Sequence, residues 1–184
     1  MLPTEAQRPG SNVSAPPTTA EALAFVALGA NLGDGRQTLL RAMNRLEALS
    51  SSPLLRSSLW QSSPVDCPPG SPPFVNAVVG LRPPASQTPE SLLSALQKLE
   101  QEFGRAPKNV LNEPRPLDLD LLAFGPERRA TPALTLPHPR AHQRRFVLQP
   151  LAEIAPDLVL PGQNRSVARL LAELPPGEHV TKLD

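Results

Sequence analysis

Residues 114–124, which read Pro-Arg-Pro-Leu-Asp-Leu-Asp-Leu-Leu-Ala-Phe, constrain the fold of this chain more than any other segment. Successive side chains of a β-strand point to opposite faces of the sheet, so residues two apart share a face. By this rule Asp118 and Asp120 lie on one face, and the leucines that alternate with them lie on the other. The segment therefore predicts a strand that packs on a core through its leucines and presents two neighbouring carboxylates on its opposite face.

The two carboxylates predict a site for a hard divalent cation. Ionised Asp118 and Asp120 repel each other at this spacing, and Mg²⁺, which prefers oxygen ligands and leaves room for phosphate oxygens, relieves the repulsion. Arg115 adds a planar cationic fork that is suited to phosphate. A solvated acidic face on an edge strand is the alternative interpretation of a bare Asp-x-Asp pattern. The leucine face and Arg115 favour the metal and phosphate interpretation.

A length of 184 residues and a hydrophobic share of 40% predict one domain with a substantial core. Residues 1–21 are rich in Pro, Ser and Thr and are predicted to be a flexible tail, which leaves residues 22–184 as the single domain. The net charge is only +1, but cations outnumber acids between residues 105 and 145, which favours a polyanionic small molecule as ligand. These cations are Arg105, Lys108, Arg115, Arg128, Arg129, Arg140, Arg144 and Arg145.

Cysteine usage and hydropathy bear on where the protein works. A lone cysteine, Cys67, excludes an internal disulfide framework and is typical of a reducing cytoplasm. No apolar run is long enough to cross a bilayer, and the first 20 residues lack the apolar stretch of a secretory signal. We therefore expect a cytoplasmic protein that does not contact a membrane.

Hydrophobic periodicity predicts the order strand, helix, strand, strand, helix, strand. This order is typical of the ferredoxin-like βαββαβ core, an α+β fold whose antiparallel sheet carries both helices on one face. A C-terminal extension follows, with an apolar run at 146–148, a short turn of helix at 150–154 and a last helix from Ser166 to Leu174. The core elements are predicted at 23–28, 36–49, 54–60, 74–81, 89–103 and 114–124.

The second predicted helix has the clearest boundaries. Thr88 can cap its N-terminus, Pro89 suits its first position, and Gly104 suits its end. The buried stripe of this helix is predicted to leave Gln97 and Glu100 on a flank rather than in the core. The stripe consists of Leu92, Leu96, Leu99 and Phe103.

Five blocks of the sequence form a pattern that is more specific than any one of them. The blocks are Ala27-Leu-Gly-Ala-Asn-Leu-Gly-Asp34, Phe74-Val-Asn76, Leu96-Gln-Lys-Leu-Glu100 with Gly104-Arg105, Pro114-Arg-Pro-Leu-Asp-Leu-Asp120, and Leu136-Pro-His-Pro-Arg140 with Arg144-Arg-Phe-Val-Leu148. Because these five blocks occur in this order and at this spacing, the chain closely resembles the 6-hydroxymethyl-7,8-dihydropterin pyrophosphokinase family of folate biosynthesis. The resemblance covers roughly residues 23–160.

The resemblance implies a diphosphate transfer from ATP to the hydroxymethyl group of 6-hydroxymethyl-7,8-dihydropterin. Attack on the β-phosphorus then releases AMP, and no covalent nucleophile takes part. By the same resemblance Asp118 and Asp120 hold two Mg²⁺ ions, and Arg105 and Arg115 act with them as catalytic residues. ATP and the pterin are the expected partners of a monomer that binds no nucleic acid.

The resemblance also implies the residues that bind the two substrates. Phe74 and Phe146, which would otherwise be interpreted as core residues, are implied to sandwich the flat pterin ring. The edge of the ring is implied to meet Asn76 and the backbone around Ser62, Pro64 and Val65. On the ATP side the implied residues are Gln97, Glu100, Arg115, Leu121, Thr135, His138 and Arg144.

The sequence departs from the family pattern in three places that bear on the site. Ala30 stands where the family usually has Ser, and Trp60-Gln-Ser62 replaces a Tyr-x-Thr pattern. Asn112-Glu113 occupies the place of the common Trp-Gly, which bears on how the loop at 105–114 closes over ATP. None of these changes affects the carboxylate pair, the two phenylalanines or the asparagine, so we expect activity to be retained.

Two other function classes share single features with this chain. A nucleotide-sugar transferase also uses an Asp-x-Asp metal site, but it requires a nucleotide-binding α/β domain with a Gly-rich turn and a longer chain. A ferredoxin-like RNA-binding module stacks bases on an aromatic strand flanked by basic residues, whereas the corresponding strand here is acidic. The pyrophosphokinase interpretation accounts for all five blocks.

Overall fold

A computed structural model describes residues 23–64, 69–105 and 114–183. The predicted tail at 1–21, Val65 of the predicted pterin site, Cys67 and the Asn112-Glu113 departure lie outside these ranges. Within them, none of the helices has the length and apolar character needed to span a bilayer.

The centre of the fold is an antiparallel sheet. Its strands are β1 (Ala24–Ala30), β2 (Leu55–Arg56), β3 (Trp60–Ser62), β4 (Phe74–Leu81), β5 (Asp118–Phe124) and β8 (Val180–Lys182). The order across the sheet is β5-β1-β4-β3-β8, and β2 also pairs with β4. Two further short strands, β6 (Arg129–Ala130) and β7 (Thr135–Leu136), form a separate hairpin. The four central strands have the order expected of a ferredoxin-like core, which confirms the predicted α+β class.

Helices α1 (Gly35–Leu46) and α2 (Pro89–Glu102) cover one face of this sheet. Asp34 caps α1 by accepting a hydrogen bond from Gln37 N at 3.0 Å. Thr88 and Ser91 cap α2 with reciprocal hydrogen bonds, and Pro89 occupies its first position as predicted. Leucines of both helices pack on the alternating residues of β1, β4 and β5 that face them. Local capping and periodicity therefore place both helices on one face, as predicted.

The opposite face is covered at only one end. Helices α3 (Arg145–Ile154) and α4 (Val167–Glu173) pack there on Phe25, Val78 and Leu122, one residue from each of the three central strands. The other end of the same face, which includes Ala27, Gly29 and Asn76, borders a cavity. The C-terminal extension thereby closes half of a face and leaves the half with Asp118 and Asp120 accessible.

Two predicted elements are wrong in detail. The predicted strand at 54–60 is interrupted, and its place is taken by the short strands β2 and β3. The predicted apolar run at 146–148 and helical turn at 150–154 are one continuous helix, α3, with Pro150 inside it. Proline removes one backbone donor from a helix, but Val147, Leu148 and Leu151 are fully buried along one stripe of α3. Their burial outweighs the lost hydrogen bond.

Glu153 fastens α3 to the edge of the sheet. Its carboxylate accepts hydrogen bonds from Ser58 N at 2.9 Å, Ser58 Oγ at 2.6 Å and Trp60 Nε1 at 3.2 Å, and it pairs with Lys182 Nζ at 2.9 Å. Burial alone would raise the pKa of Glu153, but these hydrogen bonds outweigh it and lower the pKa to about 2. The ionised carboxylate therefore stabilises the folded state.

We expect Glu153→Gln to lower the free energy of unfolding at pH 7 by about 1 kcal/mol. A depressed pKa contributes stability that is fully present above the ordinary value of 4.5 and is lost as the pH falls towards 2. The difference between wild type and variant should therefore shrink across this window in urea titrations. A difference that stays constant from pH 6 to pH 2.5 would contradict this origin of the stability.

Candidate active site

A row of residues across three strands forms the floor of the site. In the sheet register Asp118 of β5 lies opposite Gly29 of β1, which lies opposite Asn76 of β4, and Asp120 lies opposite Ala27. Small residues on the central strand leave space above the floor, so a cavity of about 270 Å³ opens between the two aspartates and Asn76. The predicted alternation of β5 is confirmed, because its leucines enter the core and its aspartates face this cavity.

Gly29 gives a direct test of this floor. A Cβ atom at this position would lie in ordinary contact distance of Asn76 Oδ1 (3.8 Å), Phe74 Cδ1 (3.9 Å) and Asp118 Cβ (4.0 Å). We therefore expect Gly29→Ala to fold and act nearly as wild type, whereas the branched methyls of Gly29→Val would fill the floor. Turnover of the valine variant should fall roughly 100-fold with little change in the melting temperature. Full activity of the valine variant would show that substrates do not reach the floor.

Asp118 is held by two guanidinium groups. Its Oδ1 lies 2.8 Å from Arg105 Nη1 and 3.3 Å from Arg115 Nη1. Asn31 fixes the backbone of Arg115, because its Oδ1 accepts a hydrogen bond from Arg115 N at 2.9 Å. The buried Nε of Arg115 has no hydrogen-bond partner among the described residues. Arg115 therefore keeps a donor for an anionic ligand while it orients Asp118.

Asp120 has a different environment from Asp118. Within the described ranges no residue donates a hydrogen bond to its carboxylate. Burial raises the pKa of Asp120, and the charge of the neighbouring Asp118 raises it further. His138 lies near Asp120, and burial lowers the pKa of the histidine. Asp120, which has no hydrogen-bond donor in the described part of the structure, lies beside Asp118, which has two arginine partners, and two neighbouring carboxylates of this kind are oxygen ligands that a divalent cation fits.

The protein offers few side chains that could coordinate a metal ion at this site. No cluster of three or more His, Cys, Asp or Glu that could hold a metal ion occurs in the described part of the chain. Asp118 and Asp120 alone would supply the protein ligands, and a cation there would complete its shell with phosphate and water oxygens.

The aromatic half of the cavity lies beside Asn76. Phe74 at the start of β4 and Phe146 in the first turn of α3 both line the cavity. Asn76 is almost fully buried, and its Nδ2 donates to Ser62 Oγ at 2.9 Å. This leaves Asn76 Oδ1 as an acceptor on the side of Gly29. The structure thus brings together three predicted pterin residues with Ser62, whereas Pro64 is not among the residues that line the cavity.

Glu100 is not on a flank of α2 as predicted. Only 6% of the residue is exposed, its Oε1 accepts a hydrogen bond from Leu119 N at 2.7 Å, and it forms an ion pair with Arg105. Position 100 follows Leu96 by four residues and therefore shares its buried face against β5. Burial raises the pKa of Glu100 to about 7 despite the hydrogen bond from Leu119. Glu100 acts on the site indirectly, because it orients Arg105, and Arg105 forms an ion pair with Asp118.

The remaining predicted ATP residues lie at different distances from the cavity. Arg144 lines it, together with Arg115. His138 follows β7 and lies near Asp120, and its backbone N–H donates to Leu122 O at 2.8 Å. Four of these residues are not in the cavity lining: His138, Gln97, which is exposed on α2, Thr135, which is exposed on β7, and Leu121, whose side chain is in the core. Their roles stay predictions.

Sequence reasoning missed several residues that line the cavity. Gly29 lies just beyond the strand predicted at 23–28, and the sheet register places it within β1, opposite Asp118. Arg140 and Gln143 belong to or follow the Pro-His-Pro-Arg block, so proximity to a motif was an available signal. Glu178 comes from the loop between α4 and β8, and no local pattern marks it.

The fold and the cavity together define a ferredoxin-like α+β domain whose cavity carries arginines and two aspartates as well as two phenylalanines. A family model described as 7,8-dihydro-6-hydroxymethylpterin-pyrophosphokinase (HPPK) matches residues 25–156. The chain therefore belongs to this family, and the pyrophosphokinase function of folate biosynthesis predicted from the sequence is confirmed at this level.

Individual relatives agree with the family assignment. The chain is 41% identical over 152 residues to the 2-amino-4-hydroxy-6-hydroxymethyldihydropteridine pyrophosphokinase of Pseudomonas aeruginosa, which covers 82% of this chain and 91% of that protein. It is 42% identical over 139 residues to the protein of the same name from Haemophilus influenzae, covering 75% and 84% of the two chains.

A solved structure supports the fold alone. The crystal structure of a Plasmodium falciparum HPPK-DHPS triple mutant with pteroate matches with a TM-score of 0.63 at 13% identity. The match covers 85% of this chain and 44% of that longer chain. The sheet and its helices are therefore shared with a structure of very different sequence.

Proposed function

We propose that this chain binds ATP and 6-hydroxymethyl-7,8-dihydropterin and transfers the terminal diphosphate of ATP to the pterin hydroxymethyl group. The observation that carries the proposal is the composition of one cavity, which has an aspartate pair and arginines at one end and two phenylalanines with a buried asparagine at the other. The charged end is suited to a polyphosphate, and the aromatic end with its asparagine is suited to a flat heterocycle with a polar edge.

The proposed reaction joins the hydroxyl oxygen of the pterin to the β-phosphorus of ATP. The bond between that phosphorus and the oxygen bridging to the α-phosphate breaks, AMP leaves with that oxygen, and the hydroxyl proton is released. Because the transition state spreads charge over phosphoryl oxygens, positioning and electrostatic stabilisation supply most of the catalysis. The cavity residues of this chain are suited to both tasks.

Asp118 and Asp120 are the residues that would hold Mg²⁺, with two ions as the proposed number. The bound ions would neutralise charge on the transferring diphosphate and on the leaving oxygen. The fit rests on Asp120, whose half-buried carboxylate lacks a hydrogen-bond donor among the described residues and lies beside a second negative charge. Arg105 and Arg115 orient Asp118 through their ion pairs with its Oδ1.

The arginines are proposed to bind the phosphates. Burial lowers the pKa of Arg144, and the charge of Arg140 lowers it further, while the carboxylates of the site oppose this shift. A phosphate bound near the two arginines would offset the repulsion between them. Arg144 also lies over the ring of Phe146, with its guanidinium carbon 5.4 Å from the ring centroid. Arg115 contributes the buried Nε that has no partner in the described structure.

The ring site is proposed to bind the pterin by stacking and by its polar edge. Phe74 and Phe146 offer aromatic faces, and stacking favours a flat heterocycle between them. Asn76 Oδ1 is held as an acceptor because its Nδ2 is engaged by Ser62. An acceptor at this point selects a ligand edge that carries N–H donors, as the amino-oxo ring of a pterin does.

Product analysis tests this proposal. The protein is mixed with ATP, Mg²⁺ and 6-hydroxymethyl-7,8-dihydropterin, and nucleotides are separated by chromatography. AMP that appears in equal amount to pterin diphosphate is the expected result. ADP as the nucleotide product, or AMP formation that does not depend on the pterin, would contradict it.

We also propose that the protein acts as a monomer in the cytoplasm and does not bind nucleic acid. Sedimentation at micromolar concentration tests the first statement, and a gel shift with single-stranded RNA at moderate salt tests the last.

A further inference from the structure

Glu178 lines the cavity but has no part in the function proposed above. It is the third carboxylate among the described lining residues, besides Asp118 and Asp120. It lies in the loop between α4 and β8, far along the chain from the other residues of the site. Its side chain therefore connects the C-terminal segment with the ring site.

One oxygen of Glu178 accepts a hydrogen bond from the backbone of Phe146. The distance from Phe146 N to Glu178 Oε2 is 3.2 Å. This amide belongs to the first turn of α3, where backbone N–H groups lack partners within the helix. Arg144, the residue before α3, provides no side-chain cap. A carboxylate supplied from another segment thus satisfies the turn that carries Phe146, and its charge suits the positive end of the helix.

The segment that carries Glu178 is itself anchored on both sides. Val180 of β8 lies opposite Ser62 of β3, and Leu183 N donates to Leu59 O at 2.8 Å. On the other side, Arg145 Nη2 donates to Leu174 O at 3.4 Å. The position of Glu178 is therefore fixed relative to β3, which also carries the serine that orients Asn76.

Charge gives Glu178 a second contact with the same site. Its negative charge interacts favourably with Arg144, which lies over the Phe146 ring. Both neighbours of Glu178, Phe146 and Arg144, therefore line the cavity that Phe74 also lines.

We propose that Glu178 is a positioning residue for the pterin site, because its carboxylate fixes the first turn of α3 and thereby the ring of Phe146. This inference rests on the proposed function, since it assigns the ring site to the pterin. It also gives the C-terminal strand β8 a role in substrate binding.

The test compares three variants with wild type by steady-state kinetics and by equilibrium titration of the intrinsic pterin fluorescence. Glu178→Ala removes the acceptor, and Glu178→Gln keeps an oxygen acceptor without the charge. Glu173→Ala is the matched control, because Glu173 pairs only with Arg165 and Arg169 on the surface of α4 in the described structure. Should Glu178→Ala fail to fold, Glu178→Asp, whose shorter side chain withdraws the carboxylate, replaces it.

Glu178→Ala is expected to raise KM and Kd for the pterin about tenfold while KM for ATP changes less than about twofold. Glu178→Gln should recover most of the loss, and Glu173→Ala should match wild type. An unchanged pterin Kd in Glu178→Ala, or an equal loss in the Ala and Gln variants, would overturn the positioning role. A wild type that binds the pterin but forms no AMP would instead refute the proposed function, and the Kd values would still decide the role of Glu178.

Discussion

Asp120→Asn is expected to reduce turnover by roughly 10³-fold and, in the absence of Mg²⁺, to leave the protein more stable than wild type. The loss of turnover follows because the variant removes one of the two carboxylates proposed to hold the metal. The gain in stability follows from the environment of Asp120, whose pKa is raised by burial and by the charge of Asp118. An ionised Asp120 therefore opposes folding, and the neutral amide of nearly equal size relieves this cost.

The pH dependence has a definite sign. A folded-state pKa above the ordinary value of 3.8 means that the unfolded chain loses the proton first as the pH rises. The free energy of unfolding of wild type in EDTA should therefore fall, relative to that of Asp120→Asn, as the pH rises through and above 4. Urea titrations of both proteins at pH 4 and pH 7.5 measure this difference.

Asp118→Asn provides a matched control with the same chemical change. Asp118 forms ion pairs with Arg105 and Arg115. Its replacement by Asn removes both ion pairs and should lower the free energy of unfolding. Both variants should lose turnover, and both should lose the stabilisation that Mg²⁺ with ATP gives to wild type. If Asp120→Asn destabilises the metal-free protein as much as Asp118→Asn does, the electrostatic strain inferred at Asp120 is absent.

Much of the fold was predictable because its signals are local. Helix α2 is defined by Thr88, Pro89 and a leucine stripe, all within one segment, and the structure confirms each. Strand β5 is likewise defined by its own alternation, and its aspartates face the cavity as expected. In both elements the side chains that determine the conformation are close in sequence. They lie within a few turns of each other in the helix and at alternate positions in the strand.

The errors arose where distant parts of the chain decide the outcome. Pro150 is a helix breaker by local rules, yet α3 continues through it because the sheet offers a surface for its apolar stripe. Glu100 is charged and was placed on a flank, yet a backbone N–H of β5 and the guanidinium of Arg105 compensate its burial. Neither partner could be inferred from α2 alone.

The site shows the same division between local and distant information. Four of the five sequence blocks contribute most of the residues that line the cavity, whereas the block at 96–105 contributes none of them and contacts Asp118 only through Arg105. Glu178 was not predicted, because its contact with Phe146 joins residues 32 apart in sequence through a loop without a pattern. Tertiary pairing of β8 with β3 decides where that loop runs.

Phe146→Ala is expected to weaken pterin binding by about 10-fold to 100-fold while ATP binding changes far less. Phe146 lines the cavity together with Phe74, and its removal takes away one face of the proposed stack. Calorimetric titration with the pterin, in the presence of a non-hydrolysable ATP analogue, measures the change directly. Phe146→Leu, which keeps most of the apolar volume without the aromatic face, should recover only part of the affinity.

Phe103→Ala is the control that separates stacking from a general loss of an aromatic ring. Phe103 also has an arginine over its ring, with the guanidinium carbon of Arg41 at 5.4 Å from the centroid, the same distance as Arg144 from Phe146. Phe103 lies at the end of α2 and is not among the residues that line the cavity, so its variant should lose stability but keep pterin affinity. Equal pterin affinity in Phe146→Ala and wild type would refute the stacking role, whereas equal losses in the two alanine variants would trace the effect to destabilisation of the domain.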